Sequence, residues 1–331
     1  MNLGQYIFYR IVGVFLQLLG ALALVFSLIQ IMISFFGLDP TVFFLINFRG
    51  VDPQKKAAVL SQLRQQLGLD KPLIVRYFYF LRDLFLKGSL GTSWGTGLDV
   101  SKIVADALPN TMITFGFAFL IYTPLAFLLG IMASQRRGGI FDSFIRVATT
   151  ATYAIPSYIV GLWVVILFSG YDLAPWPRPI PSGFLGLLRV SLLPILVVVL
   201  IYTGFQFRLV RAHMLEILQS NYIRTARAKG LTERTIVYKH ALRNALPYFV
   251  TTIAVTFPIA FSGVAALEVV FQIPGIGFVM IAAANNFDWP ILIGVTAVFT
   301  ILNAFLLGIT DIVVIYLSPK LRFEKRFSMK Y

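Results

Sequence analysis

Few of the side chains that carry catalytic chemistry occur in this sequence. It has no cysteine and only two histidines, His213 and His240, which stand apart in a basic stretch. The lack of cysteine excludes disulfides, thiol chemistry and cysteine-ligated metals. No serine–histidine–aspartate set, metal-ligand spacing or close carboxylate pair is apparent. We therefore expect no catalytic residue, no metal site and no enzymatic activity in this chain.

Two acidic residues lie beside long apolar runs. Glu268 follows one such run, and Asp311 lies at the end of another. Ionisable groups within a membrane are commonly functional, so a proton relay in a proton-coupled secondary transporter is one interpretation. The other is a structural pairing with lysine or arginine near the membrane surface. We favour the pairing, because neither acid lies in the middle of its apolar run.

The composition is that of a membrane protein. Of the 331 residues, 58% are hydrophobic and 13% are charged, with a mean hydropathy of +0.82. Soluble domains carry roughly 25% charged residues. The net charge of +14 could indicate nucleic acid binding, but most lysines and arginines bracket long apolar runs. The lipid bilayer, not nucleic acid, is the expected partner.

Six apolar windows are long enough to span a bilayer, which takes about 20 residues. We predict an all-α integral membrane protein with six transmembrane helices, at Ile11–Leu38, Ala107–Gln135, Val147–Tyr171, Val190–Phe207, Asn244–Leu267 and Trp289–Thr310. A seventh window, Val269–Phe287, contains Pro274, Gly275 and Gly277. Since proline and glycine interrupt helices, we predict a loop with a short helix there.

Six spans place 17 of the 28 basic residues on one side of the membrane. The positive-inside rule makes that side cytoplasmic, together with both termini. We expect an N-terminal part at 1–36, an external segment at 37–107 and a core at 108–331, which includes a cytoplasmic loop at 211–246. Within the external segment, leucines at helical spacing predict a surface helix over 53–67.

The cytoplasmic stretch Ser220–Pro247 has the pattern of a helix, a glycine turn and a second helix. Ser220 and Asn221 suit a helix N-cap. Gly230 suits the left-handed residue that ends such a helix, and Thr232 can cap the helix that follows. A short helix at this face is either a docking element for a partner groove or a solvated basic loop.

These residues resemble the EAA loop of ATP-binding-cassette importer permeases. The run from Tyr222 to Leu231, with Ala226 and Gly230 at its core, is similar to the dipeptide/oligopeptide (and nickel) family. Further similar stretches are spread along the chain: Leu108–Thr111, Arg137–Asp142, Ile155–Ser157, Glu268 with Phe271, Pro274, Gly275 and Gly277, and Asp311 with Pro319 and Arg322. The long segment 37–107 is similar to the B-type subunit.

The resemblance implies a type I importer permease that works by alternating access. It implies a second homologous permease chain in a heterodimer, two ATP-binding subunits and an extracellular solute-binding protein, in the cell membrane. This chain has no Gly-x-x-x-x-Gly-Lys-Ser/Thr loop, so the ATP and Mg²⁺ would be bound by the partner subunits. The expected ATPase-coupling residues are Tyr222, Ala226, Lys229, Gly230 and Leu231. Glu268, Pro274, Gly275, Gly277 and Asp311 are expected to be gating or structural residues.

The cargo is the least defined part of the prediction. The family resemblance covers importers of di- and oligopeptides, and also of oligosaccharides and nickel chelates. Peptides are the first expectation, with the other two cargoes as alternatives.

Overall fold

A computed structural model describes residues 3–35, 61, 65, 70–170 and 183–317. These residues are predominantly helical, and the extended backbone among them pairs only in an isolated bridge between Thr92 and Asp99. The prediction of an all-helical membrane protein is confirmed. The surface helix expected over 53–67 lies outside the described residues, apart from Ser61 and Gln65, which are helical.

The described helices follow one another along the chain with short connections. They are α1 (Leu3–Phe35), α2 (Leu73–Lys87), α3 (Val100–Gln135), α4 (Ile140–Ala154), α5 (Ser157–Phe168), α6 (Phe184–Leu218), α7 (Asn221–Ala228), α8 (Glu233–Val270), α9 (Ile276–Asn285) and α10 (Trp289–Leu317). Within α8, residues Ile236–Ala241 form a π-helical segment.

Among the described residues, five helices are long and apolar enough to cross a membrane: α1, α3, α6, α8 and α10. The pair α4–α5 passes the same test as one broken span and would be the sixth. The seventh window is correctly predicted, because it forms a connection at residues 271–275 followed by the short helix α9.

The third predicted span is not one straight helix. It divides into α4 and α5, which meet at an angle of 93°. Ile155 between them is extended, with φ −95° and ψ 129°. Pro156 causes this, because its ring disfavours helical backbone in the residue before it. The prediction of a single helix over Val147–Tyr171 was therefore wrong, although Pro156 carried the signal.

Other predicted boundaries also move. Helix α3 begins at Val100, inside the stretch assigned to the external segment, and α6 begins at Phe184 instead of Val190. Helix α8 continues without interruption from Glu233, so its membrane part is an extension of the helix that follows Gly230.

The described residues form two compact units. The first comprises residues 110–277 with the beginning of α1 and the second half of α10. Its helices approach closely at small residues, as membrane helices commonly do. A Cβ added to Gly130 would lie 2.6 Å from Val210, and one on Gly263 would meet the ring of Tyr202.

The second unit holds the rest of α1, helix α2, the start of α3, most of α9 and the start of α10. Aromatic rings join α1 to α2, with the centroids of Phe26 and Tyr77 5.6 Å apart. Asp288 is buried and accepts hydrogen bonds from the Ser93 hydroxyl at 2.5 Å and from the Gly95 amide at 3.0 Å. These bonds fix the turn that precedes α3.

Candidate functional site

Helix α7 ends in a glycine turn, as the sequence predicts. Gly230 has φ +75°, and no atom lies within 4 Å of a Cβ added there. The left-handed backbone, and not a lack of space, therefore requires glycine. The Gly230 amide donates to the Arg227 carbonyl at 2.9 Å, and the Leu231 amide donates to the Ala226 carbonyl at 3.4 Å. This pair of bonds is a Schellman motif, which ends the helix at a defined residue.

The beginning of α7 differs in one detail from the expectation. Ser220 is the N-cap residue, with an extended backbone, but its side chain makes no capping bond. Its hydroxyl donates instead to the carbonyl of Ile217 at 2.6 Å. Ser220 thereby ties the start of α7 back to the end of α6.

Helix α8 begins directly after the turn and is joined to α7. Thr232 caps it by accepting from the Thr235 amide at 3.4 Å, as predicted. Arg227 on α7 donates to both carboxylate oxygens of Glu233, at 2.6 and 3.2 Å. The hydrogen bond to Glu233 raises the pKa of the Arg227 guanidinium. This two-point bond holds the two helices at a fixed separation.

The π-helical segment of α8 packs beneath α7. Ile236, Val237 and Ala241 are each at most 1% exposed, and they join Ile223 and Ala226 of α7 in one apolar cluster. We call this the inner cluster. Its full membership is Ile131, Val210, Met214, Leu218, Ile223, Ala226, Ile236, Val237, Ala241, Ala245 and Phe249. Bonds that span five residues bring Ile236 and Ala241 onto one side of the helix.

The five predicted coupling residues divide into two groups. Tyr222 and Leu231 are 43% and 40% exposed, and Lys229 and Gly230 are exposed as well. Ala226 is buried in the inner cluster. Its small side chain lets α7 lie close to its own chain, so it supports the surface from below. We call the four exposed residues the α7 surface.

One contact of the α7 surface was not predicted. The amide nitrogen of Asn244 donates to the Tyr222 hydroxyl at 3.0 Å and to the His240 carbonyl at 3.1 Å. Both residues lie in stretches that carry the family resemblance, but their sequence separation gives no sign of the contact. The bond fixes the direction of the Tyr222 ring.

Glu268 lies at the centre of a second site, at the end of α8. It is fully buried. It accepts hydrogen bonds from the Thr111 hydroxyl at 2.6 Å and from the Gly277 amide at 2.7 Å. The Thr111 oxygen in turn accepts from the Ile276 amide at 2.8 Å. These bonds connect the end of α8, the connection 271–277 and α3.

The glycines of this connection are required by close packing. A Cβ added to Gly275 would lie 2.2 Å from Oε1 of Glu268, and one added to Gly277 would lie 2.2 Å from Cα of Ala265. The Pro274 carbonyl accepts from the Asn110 side chain at 2.8 Å. The structure thus brings together Glu268, Pro274, Gly275 and Gly277. Asn110 and Thr111 complete this Glu268 junction, and only their place in the stretch Leu108–Thr111 could have indicated it.

Asp311 does not belong to that group. It forms an ion pair with Arg10 of α1. The side chains of Arg10 and Asp311 are 41% and 25% exposed. The prediction that this acid pairs with a basic residue is confirmed. Within the described part of the chain, no group of three or more histidine, aspartate or glutamate side chains could hold a metal ion.

The fold and these sites define a multi-pass membrane protein of the transporter type. Residues 126–323 match the family model described as "binding-protein-dependent transport system inner membrane component". The chain belongs to this family.

Similar proteins cover most of the chain. A putative peptide transport system permease protein of Brucella abortus (strain 2308) is 30% identical over 86% of this chain and 90% of its own length. A dipeptide transport system permease protein of Lactococcus lactis is 31% identical over 82% and 88%. A di/tripeptide transport system permease protein of Pseudomonas aeruginosa is 31% identical over 92% and 95%.

Proposed function

We propose that this chain is the permease subunit of an ATP-binding-cassette importer that moves di- and oligopeptides or similar small solutes into the cytoplasm. The observation that carries the proposal is the α7 surface, a short exposed helix end held rigidly by the inner cluster, Arg227–Glu233 and a glycine turn. The peptide-transport names of the relatives support the cargo class.

In this proposal the α7 surface faces the cytoplasm and binds an ATP-binding subunit. Two such subunits hold the ATP and Mg²⁺, so this chain contributes no catalytic residue or cofactor. A second, homologous permease chain completes the pathway, and an extracellular solute-binding protein delivers the cargo. Both termini of the chain are cytoplasmic in the cell membrane, since this arrangement puts most basic residues inside.

The mechanism follows from the way α7 is attached. An ATPase that moves on binding ATP would displace α7, and the inner cluster joins α7 to α6 and α8 as one packed body. Packed helices move as rigid bodies, so the displacement would tilt these helices instead of deforming α7 alone. The pathway would then alternate between outward and inward opening.

Gly230→Ala tests the docking function against a matched control. Gly88 also has a left-handed backbone, with φ +63°, and likewise has no atom near an added Cβ. Both substitutions impose similar local strain, of about 1 kcal/mol. We expect Gly230→Ala to weaken ATPase binding and ATP-driven uptake of labelled trialanine in proteoliposomes, whereas Gly88→Ala preserves both. Equal behaviour of the two variants would contradict the docking function.

Two stronger substitutions test the same surface. Gly230→Pro and Ala226→Arg should abolish transport while the chain still inserts into the membrane. Ala226→Arg would act indirectly, because a charged side chain cannot remain in the inner cluster and would displace α7. Full transport by a normally inserted Ala226→Arg variant would argue against the proposal. Uptake driven by a pH gradient without ATP would instead favour a secondary transporter.

The cargo is tested separately on the solute-binding protein. We expect mass spectrometry of the purified binding protein to find bound peptides. Bound oligosaccharides or a nickel chelate would change the cargo but leave the coupling proposal intact.

A further inference from the structure

A buried ion pair joins α4 to α6. Asp142 lies in the first turn of α4 and is fully buried, while the side chain of Arg211 is 16% exposed. Arg211 donates from Nε to Oδ1 at 2.6 Å and from Nη2 to Oδ2 at 2.7 Å. The Gly138 amide donates to Oδ2 at 3.0 Å. The carboxylate therefore has three donors in a fixed geometry.

Such a pair is not explained by stability alone. Removing two charges from water costs free energy that their attraction often only offsets, so apolar residues of similar size would stabilise the fold as well. A two-point guanidinium–carboxylate bond does add strict control of distance and angle. The pair is therefore best understood as a device that sets geometry.

The pair lies where three helices meet. Ala126 and Ala133 of α3 pack with Phe207 of α6, and Phe141 and Ile145 of α4 cover them. A Cβ added to Gly130 of α3 would come within 3.2 Å of the Arg211 amide nitrogen. Helix α6 is thus confined at this level on the side of α3 as well as by Asp142.

Arg211 also lies next to the packing that supports α7. Val210, Met214 and Leu218 of α6 belong to the inner cluster, together with Ile223 and Ala226 of α7. The end of α6 carries α7 directly, since only Gln219 and Ser220 separate the two helices. An element that sets the position of α6 at Arg211 therefore sets the position of α7.

We propose that Asp142 and Arg211 are positioning residues for coupling: the pair locks the α7-bearing end of α6 to the start of α4, so that displacement of α7 is transmitted to the bent pair α4–α5. The transmission step rests on the proposed function, whereas the positioning of α7 does not.

The first experiment measures the positioning of α7 in the purified full-length chain. Because the chain has no cysteine, Ala226→Cys gives a single thiol, and its maleimide labelling rate reports exposure of the inner cluster. We expect Asp142→Asn to raise this rate by about tenfold or more and Arg211→Lys to raise it less, since lysine keeps the charge but loses the two-point bond. Labelling of Ala260→Cys, buried in the same unit, should stay slow.

A double variant covers the case in which a single substitution prevents folding. Asp142→Leu with Arg211→Met leaves no unpaired charge and fills the site. We expect it to fold and to label quickly at position 226. Slow labelling at position 226 in all folded variants, or an equal rise at positions 226 and 260, would overturn the proposal, because the pair would then have no role or only a global one.

The second experiment tests transmission in the assembled transporter. Phe144 on α4 is 68% exposed, so Phe144→Cys can be labelled without disturbing the pair. Addition of ATP and vanadate should change its labelling rate at least twofold in the otherwise native complex and not in the Arg211→Lys complex, a contrast that follows from a rigid link. An equal change in both would overturn transmission. Failure of the native chain to bind ATPases would instead overturn the proposed function and leave the result at position 226 standing.

Discussion

At the scale of single residues, glycine is needed for two different reasons in this protein. Gly230 provides a left-handed turn in open space, whereas Gly275 and Gly277 allow close contact with Glu268 and Ala265. The sequence predicts the first reason, because a glycine after a short polar helix is a local pattern. It does not predict the second, since the crowding comes from side chains on another part of the chain.

The crowding at the Glu268 junction can be tested with Gly277→Ala. The added methyl would lie 2.2 Å from the Ala265 Cα, and a backbone atom cannot move aside. We expect the substitution to reduce the free energy of unfolding by about 1–3 kcal/mol, the usual cost of overpacking. Gly116→Ala on α3 is the control, because no atom lies within 4 Å of its added Cβ. Thermal unfolding in detergent should show a lower Tm for Gly277→Ala only, and equal Tm values would exclude the crowding.

At the scale of helices, prediction succeeds where the signal is local. The helix–turn–helix around Gly230 and the interruption near Pro274 follow from residues that act on their own backbone. The π-helical segment Ile236–Ala241 gives no comparable signal, because its residues suit an ordinary helix and packing under α7 selects the wider turn. The Asp142–Arg211 pair could not be predicted either, since its partners lie 69 residues apart.

Two ion pairs in this region should differ greatly in their contribution to stability. Arg227 and Glu233 are 43% and 63% exposed, so Glu233→Gln should cost about 0–1 kcal/mol. Asp142 is fully buried, so Asp142→Asn leaves an unpaired guanidinium and should cost about 3–5 kcal/mol. Denaturation of both variants in the same detergent measures the difference. Similar losses would mean that Arg227–Glu233 is shielded from water by something other than this chain.

At the scale of the whole molecule, the number of spans depends on one element. Helices α1, α3, α6, α8 and α10 are each long enough to cross a membrane, and the bent pair α4–α5 decides between five and six crossings. Six crossings put the residues on either side of the pair in agreement with the distribution of basic residues. Five would place the α7 surface on the same side as the turn before α3.

Two leucines turn this alternative into a measurement. Leu98 and Leu231 are 57% and 40% exposed, and the chain offers a cysteine-free background. With six crossings they lie on opposite sides, so a membrane-impermeant maleimide added to intact cells should label Leu98→Cys and not Leu231→Cys. Permeabilised cells should label both, which controls for accessibility. Labelling of both in intact cells would mean that α4–α5 enters and leaves the membrane on one side, and the α7 surface could not then reach an ATPase in the cytoplasm.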